Sequence, residues 1–295
     1  MTRHRPLLEA IYRLYEHSGF SMAGAVAYAF VVSLFPFCIF LGAVAGLFGG
    51  RELAQHAITG LFQVLPPAVA GTLAPQVEQL MGATRIDLLT VGGGIALFFA
   101  TSAVETLRAA LNGAYRQTET RSYPYSLALS MLFVLVAAVS TLVLTWAVVV
   151  GPVVAERFEP EWVKDFIDLG WLKSTWLTAT SRYAIAALVL VTQLLVLHLW
   201  IAAGSRRFAD VWPGVALSTL LWLAAGSLYS QYLAFSDYTR FYAGLSQIMV
   251  ALIFFQVTAV IILLGAELNR GIMELKRMRV AGALGGENDR NLPAV

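Results

Sequence analysis

Six long apolar stretches dominate this chain, and charge and proline concentrate between them. They cover about residues 20–49, 88–110, 125–155, 183–204, 211–235 and 241–266. A bilayer-crossing helix takes about 20 mostly apolar residues, because the hydrocarbon core offers no water to backbone N–H and C=O groups. The pattern predicts an all-α polytopic membrane bundle of six transmembrane helices forming a single domain, residues 1–295. The first stretch far exceeds the roughly 7–15 apolar residues of a signal peptide, so it reads as a retained helix. Residues 280–295 read as a disordered cytoplasmic tail.

Basic residues set the orientation. The N-terminal arm, the second and fourth connections and the C-terminal tail hold 13 Lys and Arg, against 7 on the opposite side. By the positive-inside rule both termini are expected in the cytoplasm, with a bacterial inner membrane as the location. Two outer connections are longer than a turn. Residues 51–87 contain Pro66 and Pro67 and predict two short amphipathic helices broken there. Residues 156–176 carry Trp162, Trp171 and Trp176 among charges, a composition suited to the membrane interface.

Composition narrows the function classes. At 58% hydrophobic and 13% charged, a 295-residue chain with six spans has no room for a separate soluble catalytic domain. A net charge of +2 is too small to imply a nucleic-acid partner. Cys38 is the only cysteine, which excludes an intrachain disulfide and a thiolate zinc site. No HExxH, Walker A or Gly-x-Ser-x-Gly occurs. Neither catalytic residues nor a metal or cofactor are implied, and the chain reads as a non-enzyme.

Ionisable groups within a span are costly, so they are candidates for function. Glu105, Arg108, Asn112 and Tyr115 fall at helical offsets that share one face of the second span. Glu105 and Arg108 are close enough for a local ion pair. Glu267 and Asn269 close the last span at the same predicted level. If spans two and six are neighbours, one polar cluster results, suited to a polar headgroup. The plainer alternative is a helix stapled to its neighbours by hydrogen bonds. His198 reads first as a hydrogen-bonding packing residue rather than a proton relay. Pro36 removes a backbone donor near the middle of the first span and predicts a kink there, a conformational candidate. Gly42, Gly46 and Gly50 form a stripe for close helix approach.

Four pieces then resemble the YihY/BrkB family of bacterial inner-membrane proteins. They are residues 25–36 (AVAYAFVVSLFP), Leu111-Asn112-Gly113-Ala114-Tyr115 followed by Arg121, Asp210-Val211-Trp212-Pro213-Gly214, and Gly265-Ala266-Glu267-Leu268-Asn269. The resemblance implies six helices with both termini inside, and a role in moving lipid or lipid-linked molecules. The family also carries a ribonuclease label, against which the missing metal ligands argue. The expectation is a secondary transporter or flippase-like handler of a lipid-related amphipathic substrate. Its substrate-binding residues would be Glu105, Arg108, Asn112, Tyr115, Glu267 and Asn269, with Pro36 helping the first span move. A non-transporting, lipid-organising scaffold is the alternative. Expected partners are membrane lipid, the substrate and a second copy in a homo-oligomer, with no nucleic acid.

Overall fold

The structure, a computed structural model, describes residues 6–64, 70–71, 86–145, 175–235 and 246–290. These residues form helices α1 (Pro6–Glu16), α2 (Gly19–Val64), α3 (Ile86–Tyr115), α4 (Tyr123–Thr145) and α5 (Thr175–Val196). A π-helical turn (Leu197–Ile201), α6 (Phe208–Phe235) and α7 (Ser246–Arg290) follow. No strand occurs among the described residues. The architecture is an all-α helical membrane bundle, as the apolar pattern predicts.

By length and composition, Gly93–Tyr115, Tyr123–Val143, Phe208–Ala225 and Ile248–Met278 can each cross a bilayer. Leu7–Glu16 and Gly19–Leu34, bent by 76° between them, pass the same test as a pair, and Ala187–Ile201 is a shorter apolar helix.

α3 is the central post. Ala96, Ala100, Ala103, Leu107, Ala110 and Ala114 are all buried and recur at alternating intervals of four and three, the spacing of a helix seam. Four-carbon or larger side chains would hold neighbours apart, whereas these alanines let α2 and α7 come close. α2 packs along α3 and α7, and α7 along α6. Leu41 of α2, Leu107 and Leu111 of α3 and Leu263 of α7 are fully enclosed in the main core. Outward positions on α4, including Leu132, Leu135, Val136, Val139 and Val143, stay exposed. That is the lipid-facing surface expected where the surroundings are themselves apolar.

α6 and α7 touch backbone to backbone. A Cβ added at Gly214 would overlap the Gly265 carbonyl oxygen, and one added at Gly265 would meet Ser218 Oγ and the Gly214 carbonyl. Ser218 Oγ donates to Ile261 O at 3.0 Å beside this crossing. Pro213, inside α6, cannot donate to the carbonyl four residues back. That carbonyl, Ala209 O, accepts instead from Lys276 Nζ of α7 at 3.5 Å.

Two expectations need revising. Residues 51–64 are not a separate short helix: α2 runs through them as far as Val64, where the described residues pause. Pro36 lies inside α2, and a sharp bend of 76° lies at residues 17–18, between α1 and α2. The tail expected to be disordered from 280 is helical to Arg290; adding residues to a formed helix avoids the nucleation cost that isolated segments meet. Pro66, Pro67, residues 156–174 and residues 291–295 lie outside the described residues.

Candidate functional site

The polar residues gather where α3 ends. Its C-terminus closes with Gln117 N–H donating to Asn112 O (2.9 Å) and Arg116 N–H to Gly113 O (3.1 Å). This double closure needs a left-handed residue at its second-last position, usually glycine. Here Arg116 takes it, with φ of 54°, at a cost of about 1–2 kcal/mol for a residue with a Cβ. The conformation sends its guanidinium to α7. Arg116 Nη1 donates to Glu267 Oε1 at 2.7 Å, and also to Gly113 O and Ala114 O.

Tyr115, one residue earlier, faces a second contact set. Its hydroxyl lies 2.8 Å from His198 Nδ1 and accepts from Asn269 Nδ2 at 3.2 Å. Asn269 Oδ1 accepts from the Gly214 N–H at 2.6 Å. One phenol and one amide therefore join α3, the π-turn, α6 and α7. Arg206 stacks over the Tyr115 ring, 4.0 Å from its centre, and donates to His198 O and Ala202 O. Burial lowers the Arg206 guanidinium from its usual range.

The upper part of the same α3 face builds a separate network. Glu105 pairs with Arg108, and Arg108 Nη1 lies 3.6 Å from Glu119 Oε2. Asn112 Nδ2 donates to Glu119 at 3.3 Å, and Asn112 Oδ1 accepts from the Ala203 N–H at 2.6 Å. Glu119 is held by Arg121 Nε at 2.7 Å and Nη2 at 2.9 Å. Those Arg121 hydrogen bonds hold the Glu119 carboxyl well below the usual range, at about 2. Arg121 also donates to Trp200 O and Ile201 O. Trp200 and Ile201 end the helix, so their carbonyls have no helical donor.

The six expected site residues thus divide into three groups. Tyr115 and Asn269 meet directly; Glu105 pairs with Arg108, while Arg108 and Asn112 reach Glu119 and Asn112 also bonds to the chain after the π-turn. Glu267 pairs with Arg116 rather than Arg108. Arg116, Glu119 and Arg206 carry no helical-face signal of their own, because they lie in connections. Their contribution depends on which carbonyls and carboxylates the fold brings near. Several charged atoms keep no hydrogen-bond partner among the described residues: Glu105 Oε1, Arg108 Nη1, Arg116 Nε and Nη2, and Glu267 Oε2. No group of three or more His, Cys, Asp or Glu among the described residues could hold a metal ion.

Two grooves flank α5 and the π-turn. One, of about 460 Å³, mixes Thr120, Arg121, Tyr125 and Ser205 with Leu129, Leu199 and Trp200. The other, of about 370 Å³, is apolar and lies between Val191 and Leu195 on one side and Phe208, Trp212 and Val215 on the other.

Comparison with known proteins agrees with the resemblance carried by the four motifs. The chain is 27% identical over 275 residues to a Bacillus subtilis (strain 168) protein that bears the name "Putative ribonuclease-like protein YfkH", covering 92% of this chain and 96% of that one. No solved structure matches. The family described as Virulence factor BrkB matches residues 10–290. Two of its motif pieces, ending at Gly214 and beginning at Gly265, supply the backbone crossing of α6 and α7 and the Asn269 bond across it, and this membrane chain belongs to the Virulence factor BrkB family.

Proposed function

We propose that this protein is a secondary transporter or flippase-like handler of a lipid-related amphipathic substrate, seated in a bacterial inner membrane with both termini in the cytoplasm. One observation carries the reading: the groove of about 460 Å³ is itself amphipathic, and Arg121 ties its polar wall to the α3 network. A headgroup would meet Thr120, Arg121, Tyr125 and Ser205, while Leu129, Leu199 and Trp200 suit an acyl chain. The buried atoms of Glu105, Arg116 and Glu267 that make no hydrogen bond could bond to a polar group in a second arrangement of the bundle. On this reading the protein is not an enzyme, and the ribonuclease-like name remains that of the relative.

A lipid-organising scaffold is favoured by a different observation. Most polar groups at the site already bond one another, as a staple between helices would. Mass spectrometry of lipids retained by the purified protein separates the two, run beside the Glu105→Ala/Arg108→Ala variant. A specific minor lipid, enriched over the membrane average and lost in the variant, supports handling and justifies a flipping assay. Bulk membrane lipid in both samples overturns it in favour of the scaffold.

A further inference from the structure

α1 is amphipathic, but its apolar side faces outward. Leu7, Leu8, Ile11, Tyr12 and Tyr15 lie on one arc of the helix and are 46–75% exposed. The opposite arc turns charge toward the protein: Arg13 pairs with Glu9 and with Glu274 of α7, both at 2.6 Å. Ala10 and Leu14 are buried between the two arcs. A helix washed by water would present the reverse.

The corner to α2 fixes how α1 lies. Ser18 takes φ of 57°, and Ser18 O accepts from the Met22 N–H at 3.0 Å to start α2. Gly19 packs so tightly that a Cβ there would overlap Leu14. The helices meet at a bend of 76°, so α1 runs nearly in the membrane plane if α2 crosses it. α2, at 46 residues, is about 69 Å long and needs no help from α1 to span a ~30 Å core. Glu274 lies about 39 Å along α7 from Ile248, past that core and at headgroup depth.

We propose that the outer face of α1 docks into the headgroup–acyl boundary of the leaflet at the arginine-rich end of the bundle. Two further features favour lipid as the occupant. Past the corner, Phe20, Tyr28 and Val32 of α2 are large apolar residues that are also exposed. Arg3 and Arg5 precede α1 in sequence and complement anionic headgroups. Exposed Tyr123, Tyr125, Trp200, Phe208 and Trp212 occur at the ends of α4, the π-turn and α6, the composition of an interfacial belt.

The full chain tests this, because Cys38 is its only cysteine and is buried. In a Cys38→Ala background, Ile11→Cys and Tyr15→Cys would each carry an environment-sensitive fluorophore. Glu16→Cys, on the charged side, serves as control. The labelled proteins, each checked as monodisperse, are placed in vesicles of phosphatidylcholine with phosphatidylglycerol. Labels at 11 and 15 should lose most emission to a lipid quencher near the headgroups, less to one deep in the chains, and little to aqueous iodide. That corresponds to burial of about 5–10 Å. The control should respond to iodide. Strong iodide quenching at 11 and 15 overturns the proposal. So does strongest quenching by the deep probe, which marks α1 as part of a span. Protection from every quencher also overturns it, and assigns the face to a second copy of the chain.

Discussion

Arg116 and Glu267, 151 positions apart in sequence, form a 2.7 Å ion pair whose carboxylate is only 2% exposed. The pair draws the end of α3 onto α7 and rewards the left-handed backbone that Arg116 adopts. Glu267→Ala should therefore leave a guanidinium facing a partly closed site without its partner. Breaking a buried pair from one side costs about 3–5 kcal/mol, and thermal unfolding in detergent should show a clear loss. Arg116→Gly relieves the backbone but removes the pair, and should still be less stable than the parent.

Tyr115→Phe keeps the ring under Arg206 and removes only the hydroxyl shared by His198 and Asn269. Leaving buried polar partners unsatisfied costs about 1–3 kcal/mol. A double-mutant cycle with Asn269→Ala should give a coupling above about 0.5 kcal/mol, the range for residues in direct contact. Strict additivity would contradict the hydrogen bond.

Acid should loosen the α3–α4 connection. The Glu119 carboxyl is held down at about 2 from an ordinary 4.5, first by the Arg121 hydrogen bonds. Its folded value is depressed, so its contribution is present above the ordinary value and is lost as pH falls toward about 2. Amide exchange in the connection should rise across that window, and Glu119→Gln should abolish the pH dependence while raising exchange at neutral pH.

Alanine at Gly265 should be poorly tolerated. Its added carbon collides with Ser218 and the Gly214 backbone, and overpacking typically costs about 1–3 kcal/mol. Gly24→Ala is the control: an added Cβ there meets nothing within 4 Å. Unfolding temperatures should fall for the first and hold or rise for the second. Equal behaviour would argue against the backbone crossing.

The fold class was legible because hydropathy acts over whole segments: about 20 apolar residues mean the same thing in any context. Glu105 with Arg108 was legible for a similar reason, since three residues along a helix bring side chains together regardless of tertiary structure. Arg116–Glu267 was not, because a connection has no periodicity and its partner is chosen by the packing of α3 on α7. The corner between α1 and α2 was not legible for a comparable reason, because Ser18 gave no sign of its left-handed backbone. Helix ends were least legible: nothing in 280–290 announces that α7 carries on.

The contact of Gly214 with Gly265 has a mechanical meaning. Side chains between helices act as rollers, exchanging rotamers as one helix slides past another. Where two backbones meet directly there is nothing to roll, and the Asn269 bond to Gly214 N–H latches the junction. α6 and α7 should therefore travel as one lever, so a rearrangement of this bundle has to be taken up by the helices on its other flank.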